Sequence, residues 1–304
     1  MAPDLGSVGI WSRELRYHPD AGARAAAAAE IEDLGYSAIF IPDAGGDVLG
    51  AVEHLLAATR QIPIATGVLN IWMHEAAEVA RGRADLVTRF GSRFLLGLGS
   101  SHAPLVESAM RGPYTRPYSR MVEYLDALDA APPASPSLSP RPSPFTVPAR
   151  ERMLAALGPR MLELARDRAG AAHPYLVPPA HTALARETLG PGTVLAPEQA
   201  VLLDSEPLRG RERARAFVSD YLALPNYVRN LRRLGFAEDD FRRGGSDRLV
   251  DALVARGDEE AIARRVREHH DAGADHVCVY VIGGAGETLQ LVAWRRLAPA
   301  LTSL

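Results

Sequence analysis

The sequence predicts an α/β protein built as one (β/α)8 barrel, the TIM-barrel architecture. Three observations carry that expectation. One unit recurs: a helix end, a glycine, then a short apolar run, as DLGYSAIFI, RFGSRFLLG, RAGAAHPYLV and DAGADHVCVYV. Glycine just past a helix supplies the left-handed residue that ends it. The apolar runs lack polar alternation, as strands buried on both faces do. Eight such runs alternate with helical stretches, which gives parallel pairing and right-handed crossovers. A chain of 304 residues is long enough for one barrel domain over 1–304. A doubly wound open sheet is the alternative reading of the same alternation.

In chain order, Leu5–Trp11 reads as the first strand, and Asp20 caps an alanine-rich helix that Gly35 closes. Ser37–Ile41 is the second strand, ending in Pro42-Asp43, and Val48–Thr59 is helical. Ile62–Asn70 is the third strand, with Gly67 marking a bulge or a close backbone approach. His74–Phe90 is an amphipathic helix leading into the fourth strand, Phe94–Gly99, which Ser100, Ser101, His102 and Pro104 end. Tyr114–Ala130 is a helix. The segment 131–148 is too rich in Pro and Ser for helix or central strand and reads as an irregular surface connection. Arg152–Leu157, His173–Val177, Thr193–Leu203 and His276–Ile282 supply strands five to eight. The stretch 204–257 reads as a helical insertion after the seventh strand, and Glu287–Leu297 as the closing helix.

Composition removes several function classes. The formal net charge is −3 and no basic tail is present, so nucleic acid is not an expected partner. The single cysteine, Cys278, rules out an internal disulfide and a cysteine-rich metal site; its place in an apolar run reads as core filling. There is no lysine, which removes Schiff-base and P-loop chemistry. No signal peptide and no apolar run near about 18 residues is found, so a cytoplasmic protein with no membrane contact is expected. The histidines show no metal-ligand spacing such as HExxH, and no metal is expected. GxSxG is absent, and GLGSSHA departs from GxGxxG at its third glycine.

Barrel loops after the strands converge on one mouth, so candidate residues are sought there. Asp43 could accept hydrogen bonds from a ligand's ring edge, or serve as ordinary turn chemistry after a proline. Asn70 and Trp72 offer an amide and a flat apolar surface, or pack the rim. Ser100, Ser101 and His102 offer two hydroxyls and an imidazole, or cap the next helix. Gly158-Pro159-Arg160-Met161 opens a helix, where free amides, the helix dipole and an arginine make an anion site, or a routine helix start. Gly283-Gly284-Ala285-Gly286 is a second, weaker phosphate candidate. His173 and Tyr175 lie on the sixth strand, where a lone histidine reads as a satisfied core residue.

Taken together, ATGVLNIW, FLLGLGSSHAP, ALGPRMLELARDRAGAAHPYLVPPAHT and APEQAVLLD resemble the luciferase-like monooxygenase superfamily, and within it the actinobacterial branch of coenzyme F420-dependent oxidoreductases. The resemblance covers nearly the whole chain. It implies a TIM barrel with a deazaflavin at the C-terminal mouth. It further implies a bulge with a non-proline cis peptide at Gly67-Val68 behind the ring, and ring or side-chain contacts from Ser100, Ser101 and His102. Phosphate would sit at Gly158, Pro159, Arg160 and Met161, and Asp43 would be a ring-contacting polar group.

The expected function is F420-dependent oxidoreduction: hydride transfer between deazaflavin C5 and an unidentified small organic substrate, with His102 the catalytic proton donor. An FMN-dependent monooxygenase of the same family is one alternative. A non-redox barrel that binds a phosphorylated ligand is another. Trp11 and Trp72, with the insertion, are expected to wall an apolar or aromatic substrate. Large helical faces make a homodimer the expected assembly.

Overall fold

The computed structural model describes residues 3–110, 114–130, 146–283 and 288–304. Its elements run β1 (Val8–Trp11), α1 (Glu14–Tyr17), α2 (Ala21–Asp33), β2 (Ile39–Ile41), α3 (Val48–Ala58), β3 (Ile64–Thr66), β4 (Leu69–Asn70), α4 (Ala76–Phe90), β5 (Phe94–Gly99), α5 (Ala103–Met110) and α6 (Pro117–Asp129). They continue with β6 (Arg152–Leu154), α7 (Pro159–Arg168), β7 (Ala171–Ala172), α8 (Pro179–Leu189), β8 (Val194–Leu195), β9 (Glu198–Leu203), α9 (Pro207–Leu222), α10 (Pro225–Arg233), α11 (Asp247–Leu253), β10 (Val254–Gly257), α12 (Glu259–Asp271), β11 (Val277–Val281) and α13 (Leu291–Leu301).

Every strand pairing is parallel, and the sheet runs β10-β9-β11-β1-β2-β3-β5-β6-β7-β8. The stretch 195–198 closes it into a barrel. Ala196 N and Glu198 N donate to Ala172 O and Pro174 O on one side, while Leu195 O and Pro197 O accept from His276 N and Cys278 N on the other. Residues alternating along the strands fill the lumen, among them Trp11, Phe40, Ala65, Leu95, Met153, Ala171, Ala196 and Cys278. The opposite faces meet the surrounding helices in a larger apolar layer.

Helix starts follow the sequence signals. Asp20 and Asp258 cap α2 and α12, accepting from Ala23 N and Ala261 N at 3.0 and 2.9 Å. Three of the recurring glycines adopt left-handed φ: Gly35 at 89°, Gly91 at 71° and Gly273 at 99°. Gly170 does not; there a Cβ would lie 2.3 Å from Arg150 O.

Several expected boundaries move. The sixth strand is Ala171–Ala172 and not His173–Val177, because Pro174 and Pro178 interrupt the ladder and Leu176 turns the chain at φ 54°. The fourth strand ends at Gly99, before Pro104, and a helix follows. Pro104 sits in the first turn of α5, where its missing N–H costs nothing. The insertion is not wholly helical, since Val254–Gly257 adds a parallel strand beside Ala200–Leu203. That run is too short to show a period of its own. The closing helix is Leu291–Leu301. Of the Pro/Ser-rich connection only 146–148 falls inside the described residues, and Gly284, Ala285 and Gly286 lie outside them. Among the described residues no helix is long and apolar enough to cross a membrane.

The third strand is broken in two. Ala65 pairs Leu95 and Leu69 pairs Leu98, so four residue steps on one strand face three on the other. The interruption contains a cis Gly67-Val68 peptide. The alternating glycines of β5 make room for it: a Cβ at Gly97 would lie 1.9 Å from Thr66 O, and one at Gly99 2.3 Å from Val68 Cγ2. Gly97→Ala should therefore destabilise the fold by about 2 kcal/mol or more, whereas Gly192→Ala, with nothing within 4 Å, should be neutral. Denaturant unfolding of the two variants checks this; equal stabilities would refute the interlock.

Candidate functional site

The mouth is assembled from the loops that follow the parallel strands. Its foundation is the bulge. Thr66 Oγ1 donates to Gly97 O at 2.7 Å and accepts from Gly97 N at 2.9 Å, replacing ladder bonds lost at the break. Trp11 Nε1 donates to Gly67 O at 2.7 Å. Asp43 accepts from Asn70 N at 3.0 Å and from Gly45 N at 2.9 Å, and its Oδ2 lies 2.8 Å from His74 Nε2. Burial pushes the Asp43 carboxyl up, but the bonds from His74, Asn70 and Gly45 outweigh it and hold the group below its ordinary range. Both of its oxygens are committed to protein, so Asp43 anchors the bulge.

Asn70 is buried next to this anchor. Its Oδ1 accepts from Trp72 N at 3.1 Å, and its Nδ2 has no partner among the described residues. Across the mouth, Trp72 Nε1 and Tyr114 OH donate to Ser100 O and Ser101 O at 2.9 and 3.0 Å. Ser101 takes a left-handed φ of 55°. These bonds fix the loop that presents His102. The His102 ring lies 5.4 Å from Tyr227 and hydrogen-bonds the Asn226 side chain, while its Nδ1 is buried without a partner. Burial lowers its pKa and the Asn226 bond only partly restores it, so the imidazole is neutral near pH 7. A neutral imidazole at this place can accept a proton and, once protonated, return it.

The structure brings together Trp11, Asp43, Gly67, Val68, Asn70, Trp72, Ser100, Ser101 and His102 around the ends of β1 to β5. Trp11 is buried against the bulge, through its bond to Gly67 O. Gly158–Met161 stands after β6, where Gly158 precedes α7 with no side-chain cap and Pro159 occupies the first turn.

Sequence reasoning missed a second set of residues. Tyr221 and Tyr227, from α9 and α10, interlock with rings from the strand ends: Tyr175 OH meets Tyr221 OH at 2.7 Å, and Trp11 lies 5.5 Å from Tyr175 and 4.8 Å from Tyr280. Below them Glu198 is fully buried. Its Oε2 accepts from Leu176 N at 2.9 Å, and its Oε1 has no partner. Burial pushes its carboxyl up to about 8, outweighing the Leu176 bond. The signal for Glu198 was present in APEQAVLLD, where a carboxylate stands at the start of a strand otherwise read as buried. His173 is only half satisfied, with Nδ1 2.6 Å from Ala196 O and Nε2 free of partners. Among the described residues no three His, Cys, Asp or Glu gather as metal ligands.

A closed parallel barrel with a bulged third strand and two uncommitted buried nitrogens at its C-terminal mouth has the form of a ligand-binding barrel. The chain belongs to the luciferase-like monooxygenase family, whose sequence model matches residues 9–276, and is an enzyme of that oxidoreductase class. It is 25% identical over 285 residues to a Mycobacterium tuberculosis protein named "Putative coenzyme F420-dependent oxidoreductase Rv3520c", covering 81% of this chain and 79% of that one. Its fold is similar to the coenzyme F420-dependent tetrahydromethanopterin reductase of Methanopyrus kandleri, with TM-score 0.74, 18% identity, and 98% and 100% of the two chains covered. It is also similar to an F420-dependent secondary alcohol dehydrogenase solved with an F420-acetone adduct, with TM-score 0.71, 14% identity, and 98% and 99% covered.

The buried groups predict a pH profile of stability. Glu198 has a folded pKa near 8, above its ordinary 4.5, so its contribution is full below 4.5 and is lost as pH rises through 8. His173 and His276 are held neutral by burial with values near 4, so their contributions are full above 6.5 and are lost as pH falls through 4. Glu198→Gln should flatten the decline in melting temperature between about pH 5 and 8 and leave the acid limb unchanged. A variant whose alkaline limb matches wild type would refute the assignment.

Proposed function

We propose that this protein is an F420-dependent oxidoreductase acting on a small, apolar or aromatic organic substrate. The observation that carries the reading is the pair of buried, uncommitted nitrogens at the mouth, Asn70 Nδ2 and His102 Nδ1. Buried polar atoms are satisfied in nearly all proteins, so two orphans facing one mouth suit a ligand with a hydrogen-bonding ring edge. Family membership and the relative with 25% identity support the choice of cofactor.

When bound, the deazaflavin would supply hydride chemistry at its C5. The chain's residues do the rest. Gly67-Val68, held by Trp11, Thr66 and Asp43, back the site. Asn70 offers a donor from the same strand. Ser100 and Ser101 shape the opposite edge. Gly158, Pro159, Arg160 and Met161 form the turn that holds the phosphate, through the Arg160 amide and guanidinium and the helix dipole, since Pro159 has no N–H and Met161 N already donates to Gly158 O. His102, neutral at pH 7, takes the proton released when a substrate hydroxyl is oxidised, and returns it in the reverse direction. The rings of Tyr175, Tyr221, Tyr227 and Tyr280 support an apolar substrate and exclude water.

Fluorescence quenching on purified protein tests the reading, with F420 and FMN titrated in parallel. F420 should bind more tightly than FMN. Asn70→Asp keeps the acceptor that holds Trp72 N and removes the free donor; it should weaken F420 about tenfold, and lower the melting temperature as well because a second carboxyl is then buried beside Asp43. If neither flavin binds, the proposal fails. With a turned-over substrate in hand, His102→Ala should lower turnover about a hundredfold or more. The oxidation rate of wild type should fall as pH drops through a value below 6.5, as His102 becomes protonated.

A further inference from the structure

Glu198 opens β9 and pairs in the ladder with Cys278 of β11. Counted round the barrel as β1, β2, β3, β5, β6, β7, β9 and β11, its strand stands across the lumen from β3 and the bulge. The next residue, Gln199, has Oε1 2.9 Å from His269 Nε2 of α12, outside the barrel. Alternation along the strand therefore turns Glu198 toward the lumen.

Six rings gather on this side of the mouth. Trp11 lies 4.8 Å from Tyr280 and 5.5 Å from Tyr175, and Tyr221 lies 5.5 Å from Tyr175 and 5.3 Å from Tyr227. Phe217 lies 5.1 Å from Tyr221 and 5.7 Å from Tyr280. Trp11, Tyr175 and Tyr280 share a lumen cluster with Val68 of the bulge. Tyr175, Phe217, Tyr221 and Tyr280 are half-buried, so the cluster opens outward, and fully buried Glu198 stands at its closed end. Burial is the first reason that Tyr175, Tyr221, Tyr227, Tyr280 and Cys278 hold their protons tightly, and the neighbouring Glu198 charge is a further one for each.

The carboxyl is short of partners. Leu176 N donates to Oε2 at 2.9 Å, and buried Oε1 has no partner among the described residues. That one bond is all that offsets burial of the group. The other charged side chains near the cluster are Glu14 and Arg13, which follow β1 and act on Tyr280. Arg13 is exposed, with its guanidinium 5.4 Å over the Tyr17 ring. An unmet buried acceptor costs about 1–3 kcal/mol, which a ligand bringing an N–H donor recovers. Ring faces attract cations, tryptophan most strongly, and a carboxyl pairs with them. An anion gains nothing from either, and a neutral hydroxyl gains only the bond to Oε1.

We propose that this cluster is a subsite for a basic nitrogen on the substrate: Glu198 Oε1 accepts an N–H from an alkylammonium group, while the Trp11, Tyr175 and Tyr280 rings face the cation and its apolar body. That the amine belongs to the substrate of hydride transfer rests on the proposed function; the binding of a cation here does not. The ammonium group is a handle, and the hydroxyl that His102 serves is elsewhere on the same molecule. Free Glu198 carries its proton at neutral pH. Seating the ammonium ion ionises the carboxyl, so an ion pair forms and one proton leaves to solvent.

Isothermal titration calorimetry on the full chain, with and without F420, tests the subsite. The probes share one shape: benzylammonium, benzyl alcohol and ethylbenzene, each titrated near pH 7 in two buffers of different ionisation enthalpy. Wild type should bind benzylammonium about tenfold or more tightly than the other two and release about one proton per ligand. Glu198→Gln should lose about tenfold for benzylammonium, stay within about twofold for ethylbenzene, and release no proton. Tyr280→Leu should weaken benzylammonium about threefold or more, and Tyr280→Phe, which keeps the ring, should not. Wild type that binds the three probes alike overturns the subsite. So does Glu198→Gln that keeps the ammonium preference and proton release, or that loses every probe equally. If the chain binds no F420 yet takes benzylammonium with these dependences, the cofactor assignment falls and the subsite stands. If F420 binds and no ammonium preference is found, the subsite falls and the cofactor assignment stands.

Discussion

The contact between Thr66 and Gly97 is what the rest of the mouth depends on. At this point the third strand carries one residue too many for its neighbour, and the Thr66 hydroxyl takes up both the N–H and the C=O of Gly97 that a regular ladder would have used. The surplus residue pushes Thr66 O and Val68 into space that only glycine at 97 and 99 leaves open. Asn70 then emerges with its amide turned from the ladder toward Asp43, and Trp72 is delivered to the carbonyl of Ser100. One bulge therefore sets the position of groups on three successive loops.

The insertion acts on the same mouth from the other side. A barrel has no surface to spare at its C-terminal end, so a segment that packs there must cover or furnish the site. The segment 204–257 does both: Tyr221 and Tyr227 extend the aromatic cluster that begins with Trp11, while Asn226 bonds His102 and Arg233 reaches the start of α7. This coupling gives His102 its lowered pKa, because burial under α10 outweighs the Asn226 bond. Glu198, His173 and His276 are fully buried, and desolvation keeps each group neutral.

The barrel and the neighbourhood of the site were legible in sequence because both rest on local patterns. Glycine after a helix, apolar runs without alternation and the capping aspartates Asp20 and Asp258 each depend on a few consecutive residues. Where two constraints competed, the local pattern misled. His173–Val177 looks like a strand, yet Pro174 and Pro178 withhold the donors a ladder requires. Val254–Gly257 looks like a helix end, yet it finds an open edge beside β9.

By itself the sequence determined the alternation of strands and helices, the place of the bulge at Gly67, and the polar groups that follow each strand, since these follow from side-chain size and backbone preference at neighbouring positions. Only the tertiary structure decided what those groups do. Asp43 is an anchor because His74, Asn70 and Gly45 converge on it, the His102 imidazole has a lowered pKa because it is buried against a helix over a hundred residues later in the chain, and the Glu198 carboxyl has a raised one because the lumen keeps water from it. Burial and long-range hydrogen bonding set proton affinities, and neither is encoded in any short stretch of chain.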